Sequence, residues 1–130
     1  MAEENCTAFA PQLLIDNGIT DISFYEKAFG AKEHFCLRND DGSVHVAELS
    51  IDGAIFHIHE LSQPQYLTPA KAGGFTALIG LFVPDVDAAV QRAVGAGARL
   101  VNPPKDYEPF YRQSDIVDPF GHLWKIEKKI

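Results

Sequence analysis

Apolar and polar residues alternate along 44–51 and again along 54–60, on either side of Asp52-Gly53. Asp-Gly between two alternating runs predicts a two-residue hairpin, because a type I′ turn needs positive φ at both central residues. Such a turn fixes the register: Ile51 faces Ala54, Ser50 faces Ile55, Leu49 faces Phe56 and Glu48 faces His57. Successive side chains on a strand point to opposite faces. One face therefore carries Ala47, Leu49, Ile51, Ala54, Phe56 and Ile58, a set expected to pack beneath helices. The other carries Val46, Glu48, Ser50, Ile55, His57 and His59, so a carboxylate and two imidazoles gather on one half-polar surface.

The same reading predicts a strand over 9–15 and a helix over 19–29, with Thr20 or Asp21 as its cap and Gly30 as its stop. Ile22, Tyr25, Ala28 and Phe29 share one face of that helix. A strand over 31–38 and a turn at Asn39-Asp40-Asp41-Gly42 lead into the hairpin. Residues 61–74, with Pro64, Pro69, Gly73 and Gly74, form a connector of about 14 residues, long enough for a linker between modules or a mobile cover. Beyond it come an apolar strand over 75–83 and a helix opened by Pro84-Asp85-Val86-Asp87, with Asp85 as cap. A short strand over 98–101, a Pro-rich aromatic loop over 102–110, and strands over 111–117 and 122–127 complete the chain.

Both halves read strand, helix, strand, strand, strand. A repeat of this kind decides architecture. Each module has one helix for a four-stranded sheet, so one sheet face is left over. Two spare faces can turn toward each other, or toward a partner chain, and enclose a cleft lined by Glu48, His57 and His59.

Composition narrows the function. The chain has 130 residues, a formal net charge of −7 and a pI near 5.1. That balance argues against nucleic acid, whose binding needs a basic patch to displace counterions, and against anionic membranes. No apolar run is long enough to span a bilayer. The acidic, polar start is no secretory signal, and Cys6 and Cys36 show neither metal spacing nor a disulfide framework, so a cytoplasmic location is expected. Cys36 lies in an alternating run and reads as a small buried hydrophobe.

Four stretches in this order resemble the vicinal oxygen chelate superfamily, the fold of glyoxalase, bleomycin-resistance protein and extradiol dioxygenase. They are Ile22-Ser23-Phe24-Tyr25-Glu26-Lys27-Ala28-Phe29-Gly30-Ala31; His45-Val46-Ala47-Glu48-Leu49; Val83-Pro84-Asp85-Val86-Asp87-Ala88-Ala89 with Gly95-Ala96-Gly97-Ala98; and Asp118-Pro119-Phe120-Gly121-His122-Leu123-Trp124. Within the superfamily the chain is most similar to glyoxalase-like proteins found beside phosphonate-utilisation genes. The resemblance implies an α+β fold of two βαβββ modules, about 9–60 and 75–128 of a single 1–130 domain. It implies paired, partly closed mixed or antiparallel sheets around a cleft, in a homodimer. The family's metal enzymes place one ligand on each of four strands. Glu48 keeps the ligand of the third strand. The others fall near Ala10 or Pro11, near Leu78, and on Lys125, a cation where the family has an anion. No cofactor is therefore expected at that position.

Glu48 and His57 are the candidate catalytic pair, with Glu48 orienting His57 as a general base. With His59 they could instead hold a divalent metal, since imidazole and carboxylate suit zinc, iron or nickel, or form a polar network in a wet cleft. Lys125 is expected to point into the cleft, where its ammonium could meet Glu48 in place of a metal's charge. Tyr107, Phe110 and Tyr111 could form an aromatic wall, and Arg112 an anion contact. His45 is expected on the helix side opposite Glu60, and His122 after a turn, both as structural residues. Two functions follow: a metal-free cleft binding a small organic molecule, or a lyase, isomerase or dioxygenase using a rearranged Glu48/His57/His59 site.

Overall fold

A computed structural model describes residues 6–130. Residues 1–5, which hold most of the acidic start, lie outside the described residues. The hairpin forms as its pattern requires. Strands β3 (Val44–Ile51) and β4 (Ala54–Glu60) pair Glu48 with His57 and Ile51 with Ala54. The turn carries positive φ at both central positions, 48° at Asp52 and 85° at Gly53.

Strand β1 (Gln12–Ile15) pairs parallel to β4, and β2 (Lys32–Arg38) antiparallel to β3, giving the order β1-β4-β3-β2. The first helix, α1 (Phe24–Phe29), precedes β2, and a short helix, α2 (Pro69–Ala72), lies in the connector. The second half contains β5 (Ile79–Phe82), α3 (Val86–Gly95), β6 (Arg99–Tyr107), β7 (Tyr111–Val117) and β8 (Leu123–Lys129). Its sheet has the order β5-β8-β7-β6, strand for strand the topology of the first. The chain is thus an α+β fold of two repeated modules, each a four-stranded mixed sheet with one principal helix.

Several boundaries differ from the sequence expectation. Helix α1 starts late because Asp21 Oδ1 accepts the Ser23 N–H at 2.8 Å and the Ile19 carbonyl accepts from Val44 N–H at 2.7 Å, which commits 19–23 to a turn. Gly30, at φ 67°, closes the helix as expected. Asp85 caps α3 by accepting the Ala88 N–H at 3.0 Å. Strand β6 continues to Tyr107 through Pro103 and Pro104 where a loop was expected. It is an outer strand, where a missing N–H is tolerated, and its register is irregular around the two prolines. Strand β3 contains a bulge: Arg38 pairs with Val44, but Leu37 pairs with Val46. The extra residue resets the alternation. Val44 is fully buried, and His45 is carried off the helix side on which simple alternation places it.

The two modules meet through their helix-bearing faces. The rings of Tyr25, Phe29 and Phe56 lie 5.9, 4.8 and 5.8 Å from that of Trp124. Arg92 of α3 donates to the Lys27 carbonyl of α1 at 2.7 Å. At the centre Asp118, 3% exposed, accepts from Tyr25 Oη at 2.6 Å and Trp124 Nε1 at 3.0 Å. His122 Nε2 donates to the Leu14 carbonyl at 2.7 Å and ties the modules together, in keeping with a structural role. With the helix-bearing faces turned together, neither α1 nor α3 covers the opposite faces. The sheets are not closed around a cleft within one chain, which corrects that part of the expectation.

Candidate functional site

The uncovered face of the first sheet is organised by register. Gln12 stands beside His57, His57 opposite Glu48, and Glu48 opposite Phe35, so one row crosses all four strands. The next row runs Leu14, His59, Val46 and Leu37. His57 Nε2 lies 3.1 Å from Glu48 Oε1, and both side chains are a little over a quarter exposed. Phe35 packs edge-on against His57 with ring centroids 6.5 Å apart. Accepting a hydrogen bond from an imidazole, the carboxylate fixes which ring nitrogen carries the proton and steadies the ring, as an acid–base pair requires.

His59 shares this face but not this pair. Its Nδ1 lies 2.6 Å from the Glu60 carbonyl, and its ring packs against His45 with centroids 5.2 Å apart. His45 Nδ1 in turn lies 2.6 Å from Glu60 Oε2. Hydrogen bonding from His45, then from Asn39, holds the Glu60 carboxyl below its ordinary value. The three residues grouped from the sequence therefore separate: Glu48 pairs with His57, and His59 stands instead beside His45.

On the uncovered face of the second sheet, Asp115 stands opposite Lys125 and Gln113 opposite Glu127. The Lys125 ammonium lies 3.0 Å from Asp115 Oδ1, close enough for charge pairing though not aligned as a hydrogen bond. Asn102 donates to Asp115 Oδ2 at 2.8 Å. The expected Lys125–Glu48 ion pair does not form within the chain, because Lys125 has an anion across the strand from it and Glu48 has His57. Glu127 is buried and accepts from Gln113 Nε2 at 2.9 Å, and its carboxylate lies close to Gly80, where a Cβ would stand 2.9 Å from Oε2. Tyr111 belongs to this face, with its ring 6.2 Å from Phe82 and 6.4 Å from Phe110.

Arg112 does not belong to it. It alternates with Tyr111 and Gln113, so it is turned to the covered side with Ser114 and Ile116. There its guanidinium binds Asp87 of α3 and Asp106 of β6, each at 3.0 Å, and these carboxylates, Asp106 foremost, raise its pKa. Arg112 as an anion contact in the cleft is thereby corrected. Burial raises the Cys36 thiol above its ordinary value, which suits a packing residue. Sequence reasoning missed Gln12, Phe35, Phe82, Asp115 and Glu127. Asp115 was open to a count back across the Asp118–Gly121 turn; Phe35 was not, because a second bulge at His34 shifts its strand. A cavity of about 340 Å³, lined by residues of β1, α2 and the segment before β5 but not by Glu48, lies at the seam between the two sheets.

A family model described as the glyoxalase/bleomycin resistance protein/dioxygenase superfamily matches residues 20–126. The chain belongs to that superfamily. An uncharacterized protein of Mycobacterium bovis is 36% identical over 128 residues, 95% of this chain and 84% of its own. Among solved structures, a gene product of Arabidopsis thaliana is 29% identical with a TM-score of 0.70, over 93% of this chain and 98% of that one. TioX from Micromonospora sp. ML1 is 26% identical with a TM-score of 0.66, over 94% and 95%. The resemblance places the superfamily's metal ligands on four strands, two of the positions being 48 and 125. Glu48 is in place, but Lys125 brings an ammonium paired to Asp115. Among the described residues no group of three or more His, Cys, Asp or Glu is arranged to hold a metal ion. No helix among them is long and apolar enough to cross a membrane.

Proposed function

We propose that this member of the superfamily binds a small organic molecule in a cleft that is metal-free at the family position. Two copies pair so that the first sheet of one chain and the second sheet of the other enclose that cleft. The observation that carries the reading is the row Gln12, His57, Glu48 and Phe35, half polar and half aromatic, which crosses all four strands of the first sheet. Leu37, Phe82 and Phe110 add exposed apolar surface, at 55%, 56% and 66%, which in a soluble protein marks a contact or binding face. The protein acts in the cytoplasm, a location that suits a chain with no disulfide framework.

Sedimentation equilibrium of the full chain tests the pairing, with a dimer expected at micromolar concentration. Ligand-observed NMR against a panel of small aromatic and anionic compounds tests the cleft. Binding that is lost in Glu48→Gln and His57→Ala supports the reading. A monomer whose binders ignore both substitutions refutes it.

One observation favours a second reading, a lyase, isomerase or dioxygenase. The 3.1 Å contact between Glu48 and His57 is the geometry of an oriented general base. Turnover of a panel substrate that falls by about 10²–10⁴ in His57→Ala, while binding survives, would select it.

A further inference from the structure

We propose a second site on the first sheet, at the Glu60 end: a pair of imidazoles, His45 and His59, that binds a borderline transition metal ion such as zinc, nickel or copper. The bulge in β3 brings His45 beside His59, with ring centroids 5.2 Å apart and planes inclined by 62°. Each ring has its Nδ1 committed to an acceptor that has no proton to give. His45 Nδ1 meets the Glu60 carboxylate at 2.6 Å, and His59 Nδ1 meets the Glu60 carbonyl at 2.6 Å. Both Nδ1 atoms therefore carry the hydrogen, and in the neutral rings both Nε2 atoms present a lone pair.

This is how metal-ligating histidines are held: the far nitrogen donates to a carboxylate or carbonyl, which fixes tautomer and orientation and raises basicity. The anchoring carboxylate is itself restrained. Asn17 Nδ2 donates to Glu60 Oε1 at 3.0 Å, and Asn39 Nδ2 reaches both oxygens at 3.2 and 3.1 Å. One residue, Glu60, thus positions both imidazoles, the first through its side chain and the second through its backbone. Two nitrogen donors select zinc, nickel or copper over magnesium and calcium, which take oxygen. No third side chain completes the set among the described residues, so the remaining coordination positions are left to water or a small ligand. The site is distinct from Glu48–His57, whose imidazole is already engaged by its own carboxylate.

The test is competition for Zn²⁺ against a chromophoric chelator, with electron paramagnetic resonance of the Cu²⁺-loaded protein, on the tag-free full chain. One equivalent of Zn²⁺ and superhyperfine coupling to two nitrogens are expected. His45→Gln and His59→Gln should each weaken binding at least about tenfold, Glu60→Gln by about 10- to 100-fold, and His57→Gln not at all. The copper spectrum is read on the wild type, so the result does not depend on any variant folding. No retained metal, or affinity that follows His57 while ignoring His45 and His59, overturns the proposal.

Discussion

Asp118→Ala should be among the most damaging single substitutions in this chain, although residue 118 lies in a turn. Its carboxylate accepts four hydrogen bonds: Tyr25 Oη and Trp124 Nε1 at Oδ2, and the Phe120 and His122 N–H groups at Oδ1. Alanine orphans the two side-chain donors in the middle of the core, where Tyr25 and Trp124 are 0% and 1% exposed. A buried donor left without a partner costs about 1–3 kcal/mol, so the pair costs about 4 kcal/mol before the turn is considered. Domains of this size are stable by only about 5–15 kcal/mol. With a urea m-value of about 2 kcal/mol/M, the unfolding midpoint should fall by about 2 M. Far-UV circular dichroism and the fluorescence of Trp124, the only tryptophan, supply independent probes. Adding Tyr25→Phe to Asp118→Ala should cost less than the sum of the two, because it removes one of the orphaned donors. A loss under about 1 kcal/mol in Asp118→Ala would refute the reasoning.

Tyr25 links the same cluster to pH. Burial, then the Asp118 charge, raises its phenol well above the ordinary value of 10.0. A raised folded pKa means stability that is complete below pH 10 and lost as pH climbs beyond it. Urea midpoints between pH 9 and 11 should therefore fall in the wild type and flatten in Tyr25→Phe. Gly80→Ala should change thermal stability by less than about 1 kcal/mol, since its methyl meets only the flexible end of Glu127, which can shift. Arg112→Ala should leave the thermal unfolding midpoint nearly unchanged and ligand binding intact, because its ion pairs to Asp87 and Asp106 are largely solvated.

What the sequence made legible was local. Asp52-Gly53 sets a register that carries Glu48 to His57 with no help from the rest of the molecule. The repeated order of strands and helix, and the family motifs, were enough for the fold. Failures came where one residue broke the period. The bulge that moves His45 to the other face has no signature in an otherwise regular alternation. Pro103 and Pro104 read as loop because an outer strand and a loop tolerate proline equally well. Arg112 was grouped with the aromatics of that supposed loop, although its alternation with Ser114 and Ile116 pointed to the covered side. Closure of the sheets was beyond reach, since it depends on which faces the helices bring together.

The two prolines of β6 also make the molecule's margins unequal. They remove two consecutive N–H donors from β6, an outer strand of the second sheet, one of them on its open side, so that rim is a poor template for a further strand. One outer strand of the first sheet, β2, contains no proline and keeps its donors. Head-to-tail growth that joins a β2 rim to a β6 rim would need β6 to take part, and it is poorly equipped to do so. Contact between two β2 rims would be isologous, the same edge on both copies, and closes at two. Between these two rims, strand addition is thus biased toward a pair and away from a fibre.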